Sequence, residues 1–394
     1  MYFITQFIFE KKRNMRFFVL LWLGLLFNSC HTQSSNNINS STEELVNESN
    51  ADTVFTLADF LTKNTNLDEK VEAVFKQMND TLRVGQMIVP ATGRLGKSTA
   101  HVTSLASKGW IGGILLLNGT KSGFTSEVKY YDSLMKNQGF LPLIYSADAE
   151  PTLVNRKIQG TRTVPKTNTI KHLDSVRYFT KIISEDLNEI GINQNFAPVI
   201  DVSPNKVVSN RSFGLDMDTV INFSKAFISV TQDHQVAATA KHFPGHGFVV
   251  GDTHKKLVYI DGEMKEVKNY TPMISHGVAS IMVAHLAIKN NPEFDTQDMP
   301  STCSRKIVTD LLKDSLQFKG LVITDAMNMG GVVNVEQCGL KAAQAGCDQL
   351  LMPVDEKKVL FDILTHMRID DNFEKEVYES VKKIIRLKIC LGKV

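Results

Sequence analysis

Eight short apolar runs, separated by stretches of helical periodicity, leave a chain like this few ways to fold. The runs fall at 87–89, 113–117, 141–147, 193–197, 236–240, 280–284, 321–324 and 349–352. Amphipathic patterns lie between or after them at 176–190, 220–230, 264–276 and 374–391. Strands that alternate with helices imply parallel βαβ units. Eight of them predict an α/β fold, a (β/α)8 TIM barrel forming one catalytic domain over 54–394. A doubly wound open sheet is the competing architecture. The phase of the polar residues favours the barrel. Asp148 and Glu150 follow the third run and Asp201 the fourth, with Lys241 and His242 after the fifth, His285 after the sixth and Asp325 after the seventh. Barrel active sites form at that end of the strands.

The first 53 residues read differently. Lys11, Lys12, Arg13 and Arg16 precede the apolar stretch 17–27, and Cys30 follows Asn28-Ser29. A basic segment, a short apolar core and a small residue predict an export signal over 1–29. The core is short for a membrane-spanning helix, although an uncleaved anchor is the alternative. Cys30 sits where bacterial lipoproteins are acylated, with Phe27 and Asn28 a loose match to the usual lipobox. Either Met1 or Met15 would serve as the start. Residues 30–53 are rich in Ser, Asn and Thr and read as a solvated tether. The expectation is an exported protein of the cell envelope, held to a membrane by a lipid on Cys30.

Charge excludes one class of partner. The chain carries a net +2, and loss of residues 1–29 with their four basic groups and Glu10 leaves about −1. That balance gives no footprint for nucleic acid. Cys303, Cys338, Cys347 and Cys390 lack CxxC spacing and read as free thiols.

The densest cluster of chemistry runs from Lys241-His242-Phe243-Pro244-Gly245-His246-Gly247 to Asp252-Thr253-His254, after the small-residue strand 236–240. It resembles the K-H-F-P-G-H-G…D-(S/T)-H signature of family 3 glycoside hydrolases, in particular their β-N-acetylglucosaminidase branch. The likeness extends over roughly 60–391. The strand 320–324 closing in Thr324-Asp325 resembles the family's nucleophile motif. The segment 146–150 resembles its D-x-E motif, and Asn210-Arg211-Ser212-Phe213-Gly214 its R-S-F motif. Pro151-Thr152 stand where many members have Gly-Gly. The end of the chain resembles the end of the family's first domain, and the second α/β domain of many members does not follow in this sequence.

The resemblance implies that Asp325 is a nucleophile forming a covalent glycosyl-enzyme, although a lone strand-end aspartate also suits a helix N-cap. It implies that His254, paired with Asp252, is the acid/base on a mobile loop. An imidazole exchanges protons near neutral pH, and loop closure would gate turnover. By the same likeness Asp148, Arg156, Arg211, Lys241 and His242 bind the sugar, where charge-assisted hydrogen bonds are strong. Each also has a structural ion pair as its alternative. His246 and His285 read as structural, or as supports behind the residues that touch the sugar.

The expected activity is retaining release of terminal β-linked N-acetylhexosamine from a carbohydrate substrate, an N-acetylglucosamine-containing glycan or muropeptide, with no metal and no cofactor. Within the family, a β-glucosidase or a phosphorylase remains open. A glycan-binding lipoprotein without activity is the alternative of another class. A metal hydrolase using His242, His246, Asp252 and His254 is disfavoured, because the Pro-Gly turn does not present two histidines from one helix face.

Overall fold

The computed structural model describes residues 54–202 and 204–394. The export signal, Cys30 and the tether lie outside the described residues.

All eight expected strands form, most of them shorter than their apolar runs. They are β1 (Ile88–Val89) with β2 (Ala91–Thr92), β3 (Gly113–Leu116), β4 (Ile144–Ala147), β5 (Gln194–Asn195), β6 (Ala237–Phe243), β7 (Ser280–Val283), β8 (Leu321–Thr324) and β9 (Leu350–Leu351). Strands β2 to β8 make one parallel seven-stranded sheet whose spatial order follows the chain. Consecutive parallel neighbours require a helical crossover each time, which is why the helices lie on the outer face. The alternating residues of the strands divide accordingly. Val89, Ala91, Leu115, Phe196, Met282, Ile323 and Leu351 pack together inside the curl. Ile114, Leu116, Ile281 and Val322 join the larger core under the helices.

The sheet is TIM-barrel-like and curled, but its ladder is not the closed eight-stranded ring the sequence led us to expect. Strands β1 and β9 pair with each other as a separate two-stranded ladder, Ile88 opposite Leu350 and Val89 opposite Leu351. Two local causes account for the break. Pro90 separates β1 from β2 and has no N–H to give to a ladder. On the other side β9 meets β8 only at a bridge between Ile323 and Gln349. There the Leu351 N–H turns to the Thr324 hydroxyl, 3.0 Å away, instead of a main-chain carbonyl.

The helices follow their apolar periodicity. Leu173–Ile190 buries Val176, Ile183, Leu187 and Ile190, and ends at Gly191 in the left-handed conformation (φ 95°). Such residues contribute about 1.5–3 kcal/mol each when fully buried. Met217–Asp233 is capped by the Asp216 carboxylate on the Thr219 N–H at 2.8 Å. Asp371–Cys390 closes the chain. One expectation fails: 264–276 is not a single helix. It forms a turn at Val267–Asn269 and a six-residue helix, Tyr270–Ser275. Proline is tolerated only in a first turn, so Pro272 fixes the helix start near Tyr270, and Glu266 is left free to point inward.

Candidate active site

The site starts with an irregularity in β6. In a regular strand Lys241 and His242 would face opposite sides of the sheet. The register slips here: Lys241 lies opposite Met282, while Phe243, not His242, lies opposite Val283. This extra residue lets two consecutive side chains reach the same cavity. The peptides Lys241–His242 and Phe243–Pro244 are both cis.

The Lys241 ammonium is fully buried and bonds Asp148 at 2.9 Å and Glu150 at 2.7 Å. Arg211 grips Glu150 with two nitrogens at 2.6 and 2.8 Å. Lys157 closes on the other oxygen of Asp148. Burial opposes the charge on Asp148, yet Lys157 and Lys241 hold its carboxyl well below the usual range. The same contest, won by Arg211 and Lys241, brings Glu150 down to about 2. Both carboxylates are thus ionised acceptors near neutral pH. The Pro151-Thr152 departure has a structural role, because the Thr152 hydroxyl donates to the Asn210 carbonyl at 2.5 Å. It ties the turn after Glu150 to the segment that carries Arg211.

His242 gives its Nδ1 to Asp201 at 2.7 Å, and the main-chain N–H of His246 donates to the same carboxylate at 2.8 Å. Burial works against the Asp201 charge, but His242 and His246 outweigh it and the carboxyl is lowered. His246 is not among the residues that line the cavity, and its Nε2 lies 3.0 Å from the Thr253 hydroxyl. His285 lies between the Thr302 hydroxyl (2.9 Å) and the Ala326 carbonyl (3.0 Å). His246 thus bonds the loop that carries His254, and His285 bonds the residue after Asp325.

Asp325 ends β8. Its N–H continues the ladder to Val283 at 2.9 Å, and its Oδ1 accepts the Ala326 N–H at 2.7 Å. Burial raises its carboxyl, but the charges on His242 and His285, the Ala326 N–H and Lys241 together lower it. His254 lies on the loop after β6, 60% exposed, with Nδ1 2.7 Å from the Asp252 carboxylate. Nε2 is thereby left as the nitrogen free to exchange a proton.

A cavity of about 500 Å³ is lined by Asp148, Arg156, Arg211, Lys241, His242, His254 and Asp325, with Leu115, Met282 and Leu351 among its apolar wall. Seven of the eight residues expected to act in the site thus share one cavity, and the eighth, Asp252, holds His254. Arg156 differs from the other cations: it is exposed, and among the described residues its guanidinium has no protein partner. Of the four residues weighed as metal ligands, His242 bonds Asp201 and His246 bonds Thr253, while His254 and Asp252 bond each other.

Sequence reasoning passed over Lys157, Asn205 and Glu266 as site residues. Lys157 had one signal, a second cation beside Arg156. Glu266 had none, since 264–276 reads as an ordinary amphipathic stretch. Its buried carboxylate accepts the N–H groups of Val202 (2.5 Å) and Gly247 (2.7 Å), joining the Asp201 loop to the start of the His254 loop. Gly247 packs so closely on the Val202 carbonyl and Glu266 that any Cβ would overlap both. Burial and the Asp201 charge lift the Glu266 carboxyl to about 8 against the pull of those N–H groups. In the unfolded chain the same group ionises in the ordinary glutamate range. The folded state therefore holds a proton the unfolded state lacks, and stability falls as pH rises from there through about 8. Glu266→Gln should flatten this slope, read as Tm against pH. An unchanged slope would remove Glu266 as its source.

Residues 79–387 match the Glycosyl hydrolase family 3 N terminal domain. A β-hexosaminidase of Glaesserella parasuis is 30% identical over 256 residues, 61% of this chain and 74% of that protein. A protein of Cellulomonas fimi named β-N-acetylglucosaminidase/β-glucosidase is 27% identical over 310 residues, 72% of this chain and 53% of its own. The structure of a family 3 β-N-acetylglucosaminidase from Paenibacillus sp. superposes with a TM-score of 0.73 at 25% identity, covering 80% of this chain and 63% of that one. Over most of its length, and through the cavity just described, the chain belongs to glycoside hydrolase family 3.

Proposed function

We propose that the protein is a β-N-acetylhexosaminidase that releases terminal β-linked N-acetylglucosamine with retention, through a covalent intermediate on Asp325. The observation that carries this reading is that Asp325 and the Asp252-backed His254 line one cavity with the buried Asp148–Lys241–Glu150–Arg211 network. The relatives named β-hexosaminidase supply the acetamido preference.

In the first step an Asp325 oxygen bonds to the anomeric carbon as the bond to the leaving oxygen breaks, and His254 Nε2 delivers its proton to that oxygen. In the second, the now neutral Nε2 takes a proton from water, the water oxygen bonds to the anomeric carbon, and the ester to Asp325 breaks. Two displacements restore the β configuration. Asp252 accepts the Nδ1–H and so keeps Nε2 available in both directions. Asp148, Lys241 and Arg211 are preorganised by ion pairs, Lys241 with Asp148 and both cations with Glu150, which lowers the cost of orienting sugar hydroxyls. Arg156 and the Nε2 of His242 complete the ring of contacts.

The direct test compares nitrophenyl N-acetyl-β-glucosaminide with nitrophenyl β-glucoside, each with and without inorganic phosphate. Release from the acetamido substrate alone, indifferent to phosphate, supports the reading. Faster release from the plain glucoside would favour the second activity in the name of the Cellulomonas relative, and phosphate-dependent turnover would make the protein a phosphorylase. No turnover of either substrate by folded protein would point to glycan binding alone.

Export and a lipid on Cys30 complete the proposal, which sets the catalytic domain at the cell envelope against glycan or muropeptide substrates. The motivating feature is the basic and apolar leader before Cys30. Labelled palmitate incorporated by the full chain and equally by Cys30→Ala would refute it.

A further inference from the structure

The loop that carries His254 is fastened at two places. Its root is held from below. The Asn205 N–H donates to the Gly247 carbonyl at 3.0 Å, its side-chain amide donates to Val249 at 2.8 Å, and Glu266 holds the Gly247 N–H. Its tip, 252–256, is a small turn closed on itself, with the Lys255 and Lys256 N–H groups both on the Asp252 carbonyl. Among the described residues the tip makes three hydrogen bonds to the rest of the chain. One is the His246–Thr253 contact. The other two come from Gly330, whose N–H donates to the His254 carbonyl at 3.0 Å, and Gly331, whose N–H donates to the Thr253 carbonyl at 2.9 Å.

Those glycines belong to the turn that begins at Asp325. That turn is anchored independently of the loop: Met327 N–H bonds the Leu351 carbonyl at 2.9 Å, and the His285 ring bonds the Ala326 carbonyl. The approach of the two segments requires the missing side chains. A Cβ on Gly330 would overlap the Lys255 carbonyl and come 3.0 Å from the His254 oxygen, with only loop atoms as its nearest neighbours. A Cβ on Gly331 would instead press on the backbone and Cβ of His285. Gly330 has no positive φ, so alanine suits its backbone and only the docked loop excludes it.

We propose that Gly330 and Gly331 form the latch that seats the acid/base loop, so that the turn following the nucleophile sets the position of His254. The two halves of the catalytic pair are thereby registered against each other by main-chain hydrogen bonds, not by side chains. This rests on the reading of His254 as the acid/base. Gly330 is a positioning residue: it touches no substrate and acts through the loop it holds. Opening the latch withdraws the proton donor and leaves Asp325 in place.

A donor that is withdrawn matters only where the leaving group needs a proton. Wild type, Gly330→Ala and His254→Ala are compared on aryl and alkyl N-acetyl-β-glucosaminides of rising leaving-group pKa. Gly330→Ala should keep kcat/KM within about threefold on the dinitrophenyl substrate and lose about 10²-fold on the methyl glycoside, a partial copy of His254→Ala. Limited trypsin digestion reads the docking directly, because the exposed Lys255 and Lys256 lie in the tip. The variant should be cut there several-fold faster than wild type. Equal loss on every substrate, or no loss, with unchanged trypsin cleavage would overturn the latch. If His254→Ala itself shows no dependence on the leaving group, the acid/base reading fails, and the trypsin comparison still decides whether the glycines hold the loop.

Discussion

Asp325→Ala should lower kcat on N-acetyl-β-glucosaminides by about 10⁴-fold or more, with the fold intact. A loss of that size is about 5 kcal/mol of transition-state stabilisation, the scale expected when the only group that can form the covalent bond is removed. The environment supports the assignment. Burial alone would raise this carboxyl. The charges of His242, His285 and Lys241, with the Ala326 N–H, reverse that and hold it ionised. The acidic limb of the wild-type pH profile should therefore lie below the ordinary carboxylate range. The alanine also leaves a space that a small anion fills. Azide entering from that face should restore release of dinitrophenol and give the α-glycosyl azide. An inactive variant rescued to the β product would place the nucleophile elsewhere.

His254→Ala should have the second-largest effect, about 10²- to 10⁴-fold on substrates with poor leaving groups and much less on dinitrophenyl glycosides. On those activated substrates the glycosyl-enzyme forms without an acid but waits for a base, so azide should accelerate turnover and give the β-glycosyl azide. Asp252→Ala should fall between this variant and wild type. It leaves the imidazole in place but removes the carboxylate 2.7 Å from Nδ1 that fixes its tautomer. A His254→Ala enzyme whose loss is the same on all leaving groups would exclude a proton-transfer role.

Much of the fold was legible because buried parallel strands are written as uninterrupted apolar runs and their crossover helices as amphipathic periods. The eight runs each became a strand, and Asp148, Lys241, His242 and Asp325, which follow the third, fifth and seventh of them, line one cavity. The closure of the ladder was not legible. It depends on a single missing N–H at Pro90 and on a Thr324 hydroxyl that takes over one bond, and neither alters the apolar pattern. The site divides in the same way. Asp148, Arg211, Lys241, His242, Asp252, His254 and Asp325 lie in local motifs, so proximity in the chain marks them. Lys157 holds Asp148 from outside the D-x-E segment, nine residues on, and Glu266 folds back over a longer distance onto Val202 and Gly247 from a segment that reads as plain helix. Gly330 is a similar case. Its use lies in what an added Cβ would strike, and that atom belongs to a loop 75 residues earlier in the chain.

The central claim is a covalent glycosyl-enzyme on Asp325, and mass spectrometry of the His254→Ala protein during turnover of dinitrophenyl N-acetyl-β-glucosaminide tests it most directly. With its base removed, this variant should accumulate the intermediate. The intact mass should rise by one N-acetylglucosaminyl unit, and digestion at low pH should place the label on the peptide containing Asp325. No adduct during measurable turnover, or an adduct on any other residue, would contradict the account.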